Sequence, residues 1–122
     1  MIIAVDFDGT LHSDNWPGIG APVENAVEIM QKLKADGHYL IIWTCREGQR
    51  QTDAINWLLE NNIPFDRVND HHIETCKTYG CVSRKVYAHL YIDDKQVGGL
   101  PSWHDIYKYI CAIEKENKGH KS

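Results

Sequence analysis

The sequence contains no apolar run approaching the length of a membrane span, and it opens on an apolar β-branched run, Ile2 to Val5, instead of the basic segment of a signal peptide. Both absences lead us to expect a cytoplasmic protein that does not engage a membrane. A disulfide framework is missing as well: the four cysteines, Cys45, Cys76, Cys81 and Cys111, are irregularly scattered, which is the pattern of reduced thiols. Positive charge is not in excess. A net charge of −4 excludes a globally basic nucleic-acid binder and leaves only a local patch of Arg46, Arg50, Arg67, Arg84 and Lys85. Internal repeats and low-complexity stretches are absent. What is present is a chain of 122 residues, 43% hydrophobic and 25% charged, which suits one domain that buries a single core without staples. The polar stretch 115–122 has nothing to bury and is expected to fray, so the domain is expected to span 1–114.

Apolar periodicity divides the chain into alternating elements. "IIAV" (2–5) lacks polar alternation, the pattern of a strand covered on both faces. "PVENAVEIMQKLKADG" reads as an amphipathic helix with Pro22 at its start, Val23, Ala26, Val27, Met30 and Leu33 inward, and Gly37 as its stop. "HYLIIWT" (38–44) is a second buried strand, and "RQTDAINWLLENN" a second helix with Ala54, Ile55, Leu58 and Leu59 on one face. A weak strand near "FDRVN" precedes a third strong one, "VYAHLYID" (86–93). "WHDIYKYICAIEK" closes the chain as a helix with Trp103, Ile106, Tyr107, Ile110 and Cys111 inward. Strands alternating with helices imply right-handed βαβ units and hence a three-layer, Rossmann-like α/β sandwich with a mainly parallel sheet.

In such sheets ligands sit beyond the carboxyl ends of the strands, and the polar residues fall there: Asp6 and Asp8 after the first strand, Thr44 and Arg46 after the second, Asp93 and Asp94 after the last. Residues i and i+2 of an extended segment point the same way, so Asp6 and Asp8 are expected to aim at one spot while Phe7 turns away. Two carboxylates that close repel, and a bound cation, a shared proton or both must offset the repulsion. His71, His72, Cys76 and Cys81 recur at short spacings but lack the paired CxxC of a structural zinc site, so they read as loop and core residues.

Four elements in order, "DFDGT" (6–10), "TCR" (44–46), Lys85 and "DD" (93–94), resemble the haloacid dehalogenase superfamily of phosphohydrolases over most of the chain. "WPGIG", "WTCR", "RVN" and "KVYAHLYIDD" resemble its small bacterial members more narrowly. The resemblance implies an enzyme, a magnesium-dependent phosphomonoesterase in which Asp6 attacks phosphorus to form an aspartyl-phosphate. It implies that Asp8 protonates the leaving group and later deprotonates water, for which it must be neutral when substrate binds. It further implies that Thr44 and Lys85 hold the phosphate, with Lys77 or Arg84 as alternative cations, and that Mg²⁺ is held by Asp6, Asp8 through its main-chain carbonyl, Asp93 and, one layer out, Asp94.

Segments 8–22 and 68–85 are too short to fold as the cap domain that larger members insert, so the site is expected to be open or roofed by a second copy of the chain. His12, Trp16 and Arg46 are the residues expected to border the substrate. The partner is a phosphorylated molecule, small or macromolecular. A polynucleotide-end or nucleotide phosphatase, using the arginines as a groove, and a non-catalytic binding or regulatory domain that retains the fold are the alternatives.

Overall fold

A computed structural model describes residues 1–79 and 85–120. Four strands, β1 (Ile2–Asp6), β2 (Tyr39–Trp43), β3 (Arg67–Val68) and β4 (Leu90–Ile92), form one sheet in the order β3-β2-β1-β4, every pairing parallel. The helices are α1 (Ala26–Ala35), α2 (Gly48–Glu60), α3 (Ile73–Tyr79) and α4 (Trp103–His120). This is the α/β sandwich expected of the alternating pattern, with no cap among the described residues.

Alternation along β1 explains why its run is apolar throughout. Ile3 and Val5 enter the main core with Ile29, Met30 and Leu33 of α1, Ala54 and Leu58 of α2, and Trp103, Ile106 and Ile110 of α4. Ile2 and Ala4 face the opposite side, where they meet Ile41, Val86 and Ala88. That second cluster shortens the last strand. Val86 and Ala88 are used to cover the sheet, so the strand expected from residue 86 pairs only from Leu90.

Chain order produces the feature that matters most. β1, β2 and β3 step outward in one direction, and the chain then returns to lay β4 on the other side of β1. The order therefore reverses between β1 and β4, and a crevice opens at their carboxyl ends. Register puts Val5 beside Ile92, so Asp6 and Asp93 leave the sheet side by side.

Several local expectations change. Pro22 does not start a helix. Residues 11–13 pair with 21–23 through Ser13 N–H to Ala21 O (2.9 Å) and Val23 N–H to Leu11 O (2.9 Å), making a strap with its tip at 14–20, and α1 begins only after Asn25. Leu59 of α2 is exposed while Trp57 packs on the core, and Cys111 is exposed on α4. α3 interrupts a stretch read as loop. α4 runs on to His120, because the Glu- and Lys-rich tail propagates a helix already anchored by Trp103. Cys45 and Cys111 are free thiols, but Cys76 is disulfide-bonded, which corrects the expectation of reduced thiols throughout. Cys81 and Arg84 lie outside the described residues. Among those residues, no helix is long and apolar enough to cross a membrane.

Candidate active site

β1 ends at Asp6, and the chain turns at once: Leu11 N–H donates to Phe7 O at 3.1 Å and Gly9 N–H to His12 O at 3.1 Å. Gly9 takes φ +79°, and a Cβ there would overlap the Asp94 carboxylate. Glycine is thus required both for the backbone and for the close approach of Asp94. Thr10, fully buried, ties the two strand ends together. Its hydroxyl lies 3.2 Å from Asp6 Oδ2 and 3.4 Å from Asp94 Oδ1, and it accepts from the Asp94 N–H at 3.1 Å. The Thr10 carbonyl in turn accepts from Trp103 Nε1–H at 3.1 Å, which fixes the turn to α4.

Asp6, Asp93 and Asp94 each offer a carboxylate oxygen, and the three lie within 4.8 Å of one another. Asp93 Oδ1 also accepts from Lys95 N–H at 2.8 Å, which fixes its side chain. Burial, a hydrogen bond shared with Asp94, and the charges of Asp93 and Asp94 push the Asp6 carboxyl up to about 8. A group so disfavoured as an anion holds a proton unless a cation replaces it.

The carboxylate of Asp8 does not join this trio. Because the strand ends at Asp6, the i, i+2 rule no longer applies, and Asp8 turns instead to Arg46 and His12. Arg46 Nε–H is shared between Asp8 Oδ1 (3.1 Å) and Oδ2 (3.0 Å), Nη2–H donates to Oδ1 at 2.7 Å, and His12 Nε2–H donates to Oδ1 at 2.8 Å. Burial alone would raise the Asp8 carboxyl, but hydrogen bonds from Arg46 and His12 and their charges bring it below the usual carboxylate value. Without substrate Asp8 is therefore held ionised, whereas the expectation of a neutral Asp8 concerns the substrate-bound site.

His12 and Arg46, expected to border the substrate, are buried, 0% and 1% exposed, and both are engaged with Asp8. Burial also removes Arg46 from any basic groove. Trp16, 52% exposed, does face solvent, with the Arg46 guanidinium 4.9 Å and that of Arg50 5.1 Å from its ring centre. Thr44 follows β2 at the same end of the sheet, one residue past Trp43, the register partner of Asp6. Asn69 clasps it, accepting from Thr44 N–H at 2.8 Å and donating to Thr44 O at 2.7 Å. Thr44 Oγ1 accepts from Arg46 N–H at 3.2 Å.

The Lys85 ammonium lies 4.7 Å over the Tyr91 ring, Lys77 pairs with Glu74 at 3.6 Å, and Lys95 pairs with Asp94 at 3.7 Å. Thr10, Asn69, Trp103 and Lys95 are site residues that sequence reasoning did not single out. Thr10 had a signal, as the last residue of "DFDGT".

Fold and site together define an α/β domain with an acidic crevice at the reversal of strand order. No family model and no curated protein matches the chain. A solved structure described as that of a conserved protein from Bacteroides thetaiotaomicron is 41% identical, with 93% of this chain and 91% of that chain covered and a TM-score of 0.84. The chain belongs to the family of that conserved protein.

Proposed function

We propose that the protein is a magnesium-dependent phosphomonoesterase of the haloacid dehalogenase type that works through an aspartyl-phosphate on Asp6. The observation that carries this reading is the acidic trio at the strand-order reversal, with a fourth carboxylate, Asp8, held apart from it on a guanidinium. The donor set fits a hard divalent cation: oxygens only, three of them carboxylate, closely spaced and otherwise repelling one another. Asp6, Asp93 and Asp94, with the Asp8 main-chain carbonyl, would hold Mg²⁺, which would neutralise charge on the nucleophile and the phosphate.

The remaining chemistry belongs to the chain. An Asp6 oxygen attacks phosphorus, the bond from phosphorus to the ester oxygen breaks, and the leaving oxygen takes a proton from Asp8 to depart as an alcohol. Water then attacks the same phosphorus, gives its proton to Asp8, and the bond to Asp6 breaks to release inorganic phosphate. Asp8 is ionised before substrate arrives, so it takes up a proton from solvent when the anionic phosphate binds beside it and raises its proton affinity against the effect of Arg46, and this is the proton that the leaving oxygen receives. Thr44 donates its hydroxyl to a non-bridging oxygen, and Lys85, which rests over the Tyr91 ring, would have to swing to the crevice to supply positive charge there.

A panel of phosphate esters assayed with Mg²⁺, with chelator and with Ca²⁺ tests the reading. Turnover should require Mg²⁺ and fall in Ca²⁺, whose larger and less regular shell misplaces the nucleophile. Labelled phosphate should be trapped on the wild type and not on Asp6→Asn. Full turnover in chelator, or equal labelling of the variant, would overturn it.

A further inference from the structure

Arg46 is a buried cation for which the chemistry above has no use. Burying a guanidinium costs several kcal/mol unless its donors are matched, and here four of the five N–H groups are: Asp8 takes Nε–H and one Nη2–H, while Pro17 O (3.1 Å) and Gly18 O (2.8 Å) take one Nη1–H and the other Nη2–H. Its flat faces are occupied as well, with Phe7 5.3 Å and Trp16 4.9 Å from the guanidinium carbon. One side chain thus fixes Asp8 and the tip of the strap to each other.

The two oxygens of Asp8 are left unequal. Oδ1 receives Arg46 Nε–H at 3.1 Å, Arg46 Nη2–H at 2.7 Å and His12 Nε2–H at 2.8 Å, whereas Oδ2 receives only a share of Nε–H at 3.0 Å. The Asp8 side chain keeps 23% exposure, so the carboxylate is anchored without being sealed. His12 is itself held: its Nδ1 lies 2.6 Å from the Ser13 carbonyl oxygen and 3.0 Å from Gly20 N, and its ring packs 4.6 Å from Phe7 and 5.9 Å from Trp57.

We propose that Arg46 is a positioning residue which, with His12, saturates Oδ1 of Asp8 and so presents Oδ2 to the leaving group and the water, in an orientation locked to the strap. The inference rests on the phosphohydrolase reading and names the residue and the atom on which its proton transfer depends. It assigns Arg46 no contact with substrate.

The test compares kcat/KM for wild type, Arg46→Lys, Asp8→Asn and the double variant on phosphate esters of graded leaving group, from 4-nitrophenyl through phenyl to alkyl. Since kcat/KM covers only the steps up to the first release of product, hydrolysis of the phosphoenzyme does not obscure it. Lysine keeps the charge but cannot form the fork. Arg46→Lys should lose about 100-fold on alkyl esters, the range of a misplaced general acid, and less than about 10-fold on the 4-nitrophenyl ester, which leaves without a proton. The double variant should be no worse than Asp8→Asn alone, because both act through one group.

Equal losses across leaving groups, or additive losses in the double variant, would overturn the inference while leaving the phosphohydrolase reading in place. A wild type that cleaves none of the esters in Mg²⁺ would overturn that reading and the inference with it. Should Arg46→Lys fail to fold, His12→Phe removes one donor from Oδ1 and keeps an aromatic ring beside Phe7 and Trp57. It should then show the same leaving-group dependence at smaller amplitude, and a uniform loss would overturn the inference.

Discussion

Asp6 gives the crevice a pH signature that can be read without any substrate. Burial, the hydrogen bond shared with Asp94 and the neighbouring charges move its carboxyl from 3.8 to about 8 in the metal-free site. Between those values the folded protein keeps a proton that the unfolded chain has released, so stability falls as pH rises. The contribution is complete below the unfolded value and gone once pH passes the folded value of about 8. Linkage across the interval sets an upper figure of about 6 kcal/mol. Asp6 remains partly open to water, and screening reduces the figure to about 2–3 kcal/mol, on the order of 10 °C in Tm for a domain of this size.

The measurement is thermal and urea unfolding of wild type and Asp6→Asn in chelator, from about pH 5 to about pH 8.5. Asparagine cannot titrate, so the wild type should lose about 1.5–2 kcal/mol relative to the variant over that range, which spans about three quarters of the interval. The difference between the two proteins cancels His38 and His89, whose burial lowers their pKa and makes stability rise with pH in both. Mg²⁺ added at the upper pH should restore the wild type by taking the place of the proton, with little effect on the variant. Parallel profiles for the two proteins would refute the claim that Asp6 is crowded by Asp93 and Asp94.

Two further perturbations probe the supports of the crevice. Gly9→Ala forces a side chain into a left-handed residue and onto Asp94, so it should destabilise the protein by about 2 kcal/mol or more and weaken Mg²⁺ binding; unfolding curves and a metal titration check both effects. Asn69 also has positive φ, +51°, so Asn69→Gly keeps the backbone and removes only the clasp on Thr44, at a cost of about 1–2 kcal/mol, with Asn69→Ala about 1 kcal/mol worse. Equal stability of Asn69→Gly and wild type in urea would show that the clasp contributes nothing.

The parts of this architecture that rest on local periodicity were legible in the sequence. The unbroken apolar run at Ile2–Val5 and the helical spacing of Ala26, Met30 and Leu33 follow from which faces must be buried, and the aspartates stand where the strands leave the core. The strap was not legible, because residues 11–13 and 21–23 pair across a tip whose composition reads only as loop. Arg46 was misread for a related reason. An arginine is taken as a surface residue unless something buries it, and its burial depends on Asp8, the Pro17 and Gly18 carbonyls and two aromatic rings brought together from separate segments. Asn69 and Trp103 serve the site through main-chain groups, which leave no mark in side-chain patterning.

Asp6 and Asp8 stand two residues apart and have opposite proton affinities, and the difference arises from their neighbours. Asp6 is packed against two more carboxylates and pushed up to about 8, whereas Asp8 faces a guanidinium and an imidazole and is held below its usual value. The proposed roles need the reverse, an ionised Asp6 and a protonatable Asp8, so a cation among Asp6, Asp93 and Asp94 would have to displace the Asp6 proton, and a phosphate anion beside Asp8 would have to raise its proton affinity. Here the separation is built into the turn. Gly9 lets the chain leave β1 sharply enough for Asp8 to reach Arg46 instead of Asp93, and the same residue leaves the space that Asp94 occupies beside Asp6. A side chain at residue 9 would therefore disturb both carboxylates at once.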